Sequence, residues 1–207
     1  MNFYLSSYKE ISQPKRFNSL LPKANKRIAY IANALDYSRE LARRKQREKF
    51  DLRQLTKLGL EPENIDLQEF FGKIKNLEKT LDKFGAVWVR GGNVFVLRQA
   101  MKLSGLDKLL KKKVNDDFLY AGYSAGSCVL APSLKGLHLV DDPAQKPYPN
   151  QQKVIWSGLN LIDFAIAPHY DSRHPESEAI RRVVDFYMKH KIKHRKLKDG
   201  QVIIIRK

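Results

Sequence analysis

The sequence predicts an α/β fold of three layers, a mostly parallel central sheet with helices on both faces. Apolar runs of strand length alternate along the chain with helix-length segments. Two of those runs, residues 85–89 and 118–121, break into glycine-containing loops that open helices, as strands do at the carboxyl edge of a parallel sheet. The 207 residues, 43% of them hydrophobic, suit one compact domain over 1–207 rather than two.

Taken in order, residues 2–6 form a first strand, followed by a polar loop and a helix ending near Pro22, and residues 27–32 form the next strand. Strong helix formers and a loose apolar stripe of Leu41, Leu52, Leu55 and Leu58 predict a surface helix over 37–58, stopped by Gly59. Residues 64–67 read as a strand and 73–83 as a helix. The run GAVWV at 85–89 stops at Arg90-Gly91-Gly92-Asn93, where Asn93 can cap a helix continuing through Met101. Residues 132–150, rich in Pro, Asp and Lys, read as an irregular excursion long enough to act as a substrate loop, and 154–156 as a short strand. FAIA at 164–167 is a strand that runs into Pro168-His169-Tyr170-Asp171. Residues 176–190 form a helix with Ile180, Val183, Val184 and Tyr187 on one side. The last stretch, 197–206, carries Asp199-Gly200 ahead of Val202–Ile205 and reads as a hairpin closing the sheet.

Composition excludes several classes. The single cysteine, Cys128, has no internal disulfide partner and reads as a small buried helix residue, which fits a reducing compartment. The amino terminus MNFYLSSYKE has no basic leader or long apolar run, and no stretch reaches the ~18 apolar residues of a membrane span. A soluble, cytoplasmic protein is expected. The net charge of +17 points the other way, toward a nucleic-acid surface. Positive residues concentrate in 39–57, 108–113 and 189–198, which read as solvated helix faces and ends. No zinc-finger spacing, RNA-binding signature or aromatic and basic interleaving accompanies them, so specific nucleic-acid recognition is not expected.

The chemistry concentrates in residues 117–131, DFLYAGYSAGSCVLA. Ser124 is the centre of Gly122-Tyr123-Ser124-Ala125-Gly126, between an apolar strand and a helix-compatible segment. A nucleophile elbow needs that order: a strained turn pushes the hydroxyl out, and the flanking glycines remove side chains that would collide with strand and helix. The amide of Ala125 then points from a helix start toward the serine. A glycine-lined turn with a capping serine has the same spelling. The loop at 90–93 and His169 occupy equivalent strand-end positions, so three loops face one pocket.

Together these loops resemble peptidase family S51, the aspartyl dipeptidase (peptidase E) and cyanophycinase group of serine hydrolases. The carriers are WVRGGNVFVL, YAGYSAGS and APHYDSRHPE, in that order, while the amino half gives no diagnostic match. The resemblance implies a class I glutamine amidotransferase-like, flavodoxin-like fold and a cofactor-independent, metal-free serine peptidase. It makes Ser124 the nucleophile, His169 its general base, and the amides of Gly92 and Ala125 the oxyanion hole.

Asp199, whose Leu-Lys-Asp-Gly stretch resembles a family stretch with an acidic residue just before glycine, is by that resemblance the first choice for the carboxylate that orients His169. Asp141, in the loop after the elbow, is the runner-up, and Asp171 and Glu176 are local alternatives. His174-Pro175-Glu176 spells the related amidotransferase motif. Lys135 falls where the dipeptidase pattern carries an arginine that binds an acidic substrate side chain. The expected function is hydrolysis of short peptides, including dipeptides with an N-terminal acidic residue, by a monomer or homodimer. The alternatives are a catalytically inactive basic binding protein of the same fold, and an amidase or esterase.

Overall fold

The structure, a computed structural model, describes residues 1–149 and 153–206, without the Arg43 side chain. The chain runs β1 (Asn2–Ser6), α1 (Pro14–Asn18), β2 (Arg27–Ile31), α2 (Leu41–Lys57), β3 (Glu61–Asn64), α3 (Ile74–Leu81), β4 (Ala86–Val89), α4 (Val94–Ser104) and α5 (Leu106–Lys112). It continues through β5 (Leu119–Tyr123), α6 (Ala125–Cys128), β6 (Ala165–Ala167), α7 (Ser177–Lys189), β7 (His194–Lys196) and β8 (Val202–Ile205). Six strands form the main sheet in the order β3-β2-β4-β5-β1-β8. Every pairing in it is parallel except that of β1 with β8. Among the described residues no helix is long and apolar enough to cross a membrane.

Strand alternation builds the layers. Phe3, Leu5, Ala29, Ile31, Val87, Val89 and Tyr120 face one core, completed by residues of α3 to α7. Their neighbours Tyr4, Ile28, Tyr30, Ala86, Trp88, Leu119, Ala121 and Tyr123 face the other, where Phe17 of α1 and Leu55 of α2 cover them. Registers of Ile31 with Val89, Val89 with Gly122, and Ser6 with Tyr123 align the carboxyl ends of the four central strands on one edge. The loops leaving that edge therefore share a rim.

Several elements differ from expectation. β3 precedes the anticipated 64–67, because the edge strand is largely exposed and the apolar residues that suggested a strand, Ile65 and Leu67, are buried in the turn beyond it. Pro62 is tolerated there since an edge strand has one unpaired side. α1 ends at Asn18, short of Pro22, and α2 begins at Leu41, after a 3-10 turn at Asn33–Leu35. Of the anticipated apolar stripe Leu41 is exposed, whereas Leu55 is buried and Leu52 and Leu58 pack partly against the same core, where Asp51 is buried too. Residues 154–156 form no strand; Ser157 makes an isolated bridge with Ser133. The excursion after α6 is irregular as expected, with its last residue, 150, outside the described residues. β7 and β8 make no hairpin. β7 pairs in parallel with β6 in a separate two-stranded sheet, and the Asp199-Gly200 turn then carries the chain across to the antiparallel edge of β1.

The start of α6 passes close to the end of β4. A Cβ on Gly126 would lie 2.1 Å from the Val89 carbonyl oxygen, a backbone atom held in the sheet. Gly126→Ala is expected to lower stability by about 1–3 kcal/mol, read as the midpoint of urea unfolding. An unchanged midpoint would mean that the elbow can move off the sheet.

Candidate active site

Ser124 follows β5 with φ 48° and ψ −118°, a conformation that a non-glycine residue keeps only when its surroundings enforce it. Those surroundings are identifiable. The Ser124 N–H donates to the Ser6 carbonyl at 3.2 Å, and its own carbonyl accepts from the amides of Ser127 and Cys128, both at 2.9 Å. Ser127 Oγ donates to the carbonyls of Ser6 and Gly122, and the Tyr120 hydroxyl to that of Gly126. β1 and β5 thus grip the turn from below.

The loop at 90–93 presses against it. A Cβ on Gly91 would come within 2.9 Å of Ser124 Cβ, and one on Gly92, at φ 145°, within 2.5 Å of the Ala34 carbonyl oxygen. The Asn93 side chain accepts from the amides of Phe95 and Val96 and caps α4, as its position predicts. Ala125 is the first residue of α6, directly behind the serine.

His169 follows β6, also at positive φ (57°). Its N–H donates to Ser7 Oγ at 2.8 Å, and its Nδ1 lies 2.7 Å from Asp199 Oδ1. Ser7 Oγ is also 2.9 Å from that carboxylate oxygen, and the Asp199 amide donates to Ser172 Oγ at 2.8 Å. Of the four carboxylates weighed from sequence, Asp199 is the one at the imidazole. Asp141 instead accepts from the Val94 N–H at 2.8 Å, and Asp171 pairs with Arg181 and Lys198. Glu176 sits beside His174, whose ring stacks on that of His169 at 3.7 Å.

Ser124, His169, Gly92, Asp141, Lys9 and Arg47 line one cavity of about 160 Å³. Lys135 does not reach it. Its turn is held outward by the Ser133–Ser157 bridge and by Gly136 packed on Tyr187, leaving the lysine exposed. Ser7, Lys9, Arg47 and the stacked position of His174 are the contributions that sequence reasoning missed. Only the charge run containing Arg47 left a signal, and it read as a solvated face.

These features define a flavodoxin-like α/β sandwich with a cavity at the carboxyl edge of its parallel sheet. A crystal structure from Listeria monocytogenes EGD-e superposes with a TM-score of 0.72 at 24% identity, covering 100% of this chain and 98% of that one. A peptidase from an acI-B1 Actinobacterium gives 0.71 at 15% identity, over 99% and 83%. At such identities the likeness is one of fold. The chain itself belongs to peptidase family S51, whose profile matches residues 5–207. It is 30% identical over 152 residues to the uncharacterized peptidase Lin0382 of Listeria innocua, covering 73% of this chain and 69% of that one. It is 38% identical over 97 residues to Peptidase E of Streptomyces coelicolor, covering 47% of this chain and 37% of that one.

Burial sets the electrostatics. It lowers the pKa of His169, and the Asp199 hydrogen bond and charge only partly oppose it, so the imidazole is neutral at neutral pH. Burial raises the Glu176 carboxyl, and it lowers His174 with help from the charge of His169. Asp141 is pushed up to about 7 by burial, against the bond from Val94 and with help from Glu176. Over the interval from 3.8 to about 7 the folded protein keeps a proton that the unfolded chain has released. Stability therefore falls as pH rises through that window.

Asn at this position can still accept from Val94 and carries no titration. Asp141→Asn is expected to match the wild type near pH 4 and to exceed its stability at pH 8 by on the order of 3–4 kcal/mol. The check is denaturant unfolding of both proteins at the two pH values. A gain that does not grow with pH would place the folded carboxyl back in the ordinary range.

Proposed function

We propose that the chain is a serine peptidase acting on short peptides, with Ser124 as nucleophile, His169 as general base and Asp199 as the carboxylate that orients it. The observation that supports it most is the pair 2.7 Å apart between His169 Nδ1 and Asp199, facing the cavity of the strained Ser124. With Nδ1 committed to Asp199, the remaining nitrogen, Nε2, takes the Ser124 proton as Oγ attacks the scissile carbonyl. The tetrahedral oxyanion is held by the amides of Gly92 and Ala125, each worth on the order of 3 kcal/mol of barrier. The protonated His169 then gives its proton to the leaving amine, and a water activated by the same base attacks the acyl-enzyme, releasing the acid product and returning the proton to Ser124.

The cavity carries both signs of charge, which suits a zwitterion. A second space, lined by Ser124, Ala125, Asp141 and Glu176, holds only about 10 Å³, too small for another residue, and in this reading a peptide's amino end sits beside Asp141. In the larger cavity, Arg47 and Lys9 offer positive charge to an acidic side chain, the role first given to Lys135. The preferred substrate is then a dipeptide with an N-terminal acidic residue. Reaction and side-chain preference are tested separately.

Ser124→Ala is expected to abolish hydrolysis of Asp-Xaa and Ala-Xaa dipeptides alike, and full activity would end the serine reading. Asp199→Asn is expected to lower kcat by on the order of 10²–10⁴. The bond from Asp199 raises the His169 pKa, so losing it moves the acid limb of kcat/KM to lower pH. A limb that moves upward, or an unchanged kcat, would remove Asp199 from the relay.

Arg47→Glu is expected to reduce kcat/KM for Asp-Xaa about tenfold more than for Ala-Xaa, and less so at high salt. Equal losses on both substrates would exclude Arg47 as the specificity residue.

A further inference from the structure

The histidine and glutamate of His174-Pro175-Glu176 have no part in the mechanism above, yet both face its centre. The imidazoles of His169 and His174 stack at 3.7 Å with 11° between their planes, and Glu176 Oε2 lies 3.9 Å from His174 Nδ1. One ligand atom from each of His169, His174 and Glu176 falls within 4.8 Å of the others. Two imidazoles, one carboxylate and an open cavity supply three protein ligands and a fourth position for water, the donor set of an open zinc site. Asp199 behind His169 is the outer carboxylate that such sites use to fix a ligating histidine.

We propose that His169, His174 and Glu176 bind a divalent transition-metal ion of the zinc class, and that the bound ion reversibly inhibits the enzyme by occupying His169 Nε2. The inhibitory half rests on the peptidase reading, and the binding half does not. Imidazole donors favour zinc and its neighbours over magnesium or calcium, which prefer oxygen.

Tetrahedral coordination at 2.0–2.1 Å sets ligand atoms roughly 3.3 Å apart, so the cluster must tighten and one of the two stacked rings must turn against the other for their lone pairs to converge. His169 is fixed by Ser7 and Asp199 and does not turn. His174 is the mobile partner. It lies in the loop before α7 with its side chain partly exposed, held edge-on by Tyr8 and by one part-buried hydrogen bond of 3.3 Å that its Nδ1 accepts from the Glu176 amide. The metal therefore recruits His174 to His169, and the ion lies over Ser124 where the substrate carbonyl would enter.

The test titrates metal-free protein with Co²⁺, followed by its visible absorbance, and with Zn²⁺, followed by calorimetry. One equivalent is expected to bind with micromolar affinity or better, and binding should weaken about tenfold or more in both His174→Ala and Glu176→Gln. Saturating Zn²⁺ should reduce dipeptide hydrolysis about tenfold or more relative to each protein's own metal-free rate, with recovery on adding chelator. Binding only in the millimolar range, or binding unchanged in both variants, overturns the site. Binding through these residues with hydrolysis unaffected overturns the inhibition. The Co²⁺ arm needs no turnover, so a chain that hydrolyses no peptide but binds Co²⁺ through these residues supports the site while overturning the serine peptidase reading.

Discussion

The whole site depends on how closely the end of β4 approaches the turn after β5. A Cβ on Gly122 or Gly126 would collide with the Val89 carbonyl, and one on Gly91 with Ser124 itself. No side chain fits between these backbones. Parallel pairing sets Val89 opposite Gly122, and that contact turns the register of two strands into the relative position of two loops. The loop carrying Gly92 and the turn carrying Ser124 cannot shift independently, so the proposed oxyanion donors and the proposed nucleophile form one rigid unit. Rigidity of this kind is what electrostatic catalysis requires, because donors already in place cost no reorganisation during the reaction.

His169 reaches this unit by a different route. It hangs from the two-stranded sheet of β6 and β7, outside the main sheet, and the chain crosses from β7 to β8 through Asp199. Ser7, just beyond β1, spans the gap. Its hydroxyl receives the His169 amide and lies within hydrogen-bond distance of the Asp199 carboxylate, so the imidazole is registered to the same strand that accepts the Ser124 amide at Ser6. Burial then disfavours the imidazolium, while Asp199 limits how far that effect goes. An imidazole in this state is neutral at neutral pH, and in the proposed role of base it would have its counter-ion in place when it takes the proton.

Sequence reasoning succeeded where local chemistry is distinctive. The runs at 2–6, 85–89 and 118–121 are apolar on both faces, as strands buried in a parallel sheet must be, and the glycines after two of them announce the close approach. Ser124 and His169 stood out for the same reason, since each ends such a run. β3 was displaced because an exposed edge strand has little apolar signal, and the hairpin was misassigned because a turn sequence does not say which sheets its flanks join. Lys135 shows the limit of counting along an irregular loop. Spacing survives there, but direction is set by a bridge and a glycine contact that have no local signature. Arg47 was invisible for the opposite reason, as one cation among many on a helix that is mostly solvated.

What holds Arg47 at the cavity is a residue one turn along α2. Asp51 is buried on a strongly basic helix and accepts from the hydroxyls of Tyr30 and Tyr123, both at 3.0 Å, with the Arg90 guanidinium 3.8 Å away. Burial raises its pKa, and Arg90 and the two tyrosines pull it back down, so the carboxylate is tolerated because of these particular neighbours. Buried ion pairs add little net stability, but they penalise wrong arrangements, because moving either partner strands a charge. Tyr123 immediately precedes Ser124, and Arg90 immediately precedes Gly91. The one carboxylate therefore orients α2 against both loops of the rigid unit, and Arg47, four residues before Asp51 on the same helical face, is carried to the cavity. The amino half of the chain, which carries no diagnostic motif although the family profile spans it, thereby places positive charge at the cavity.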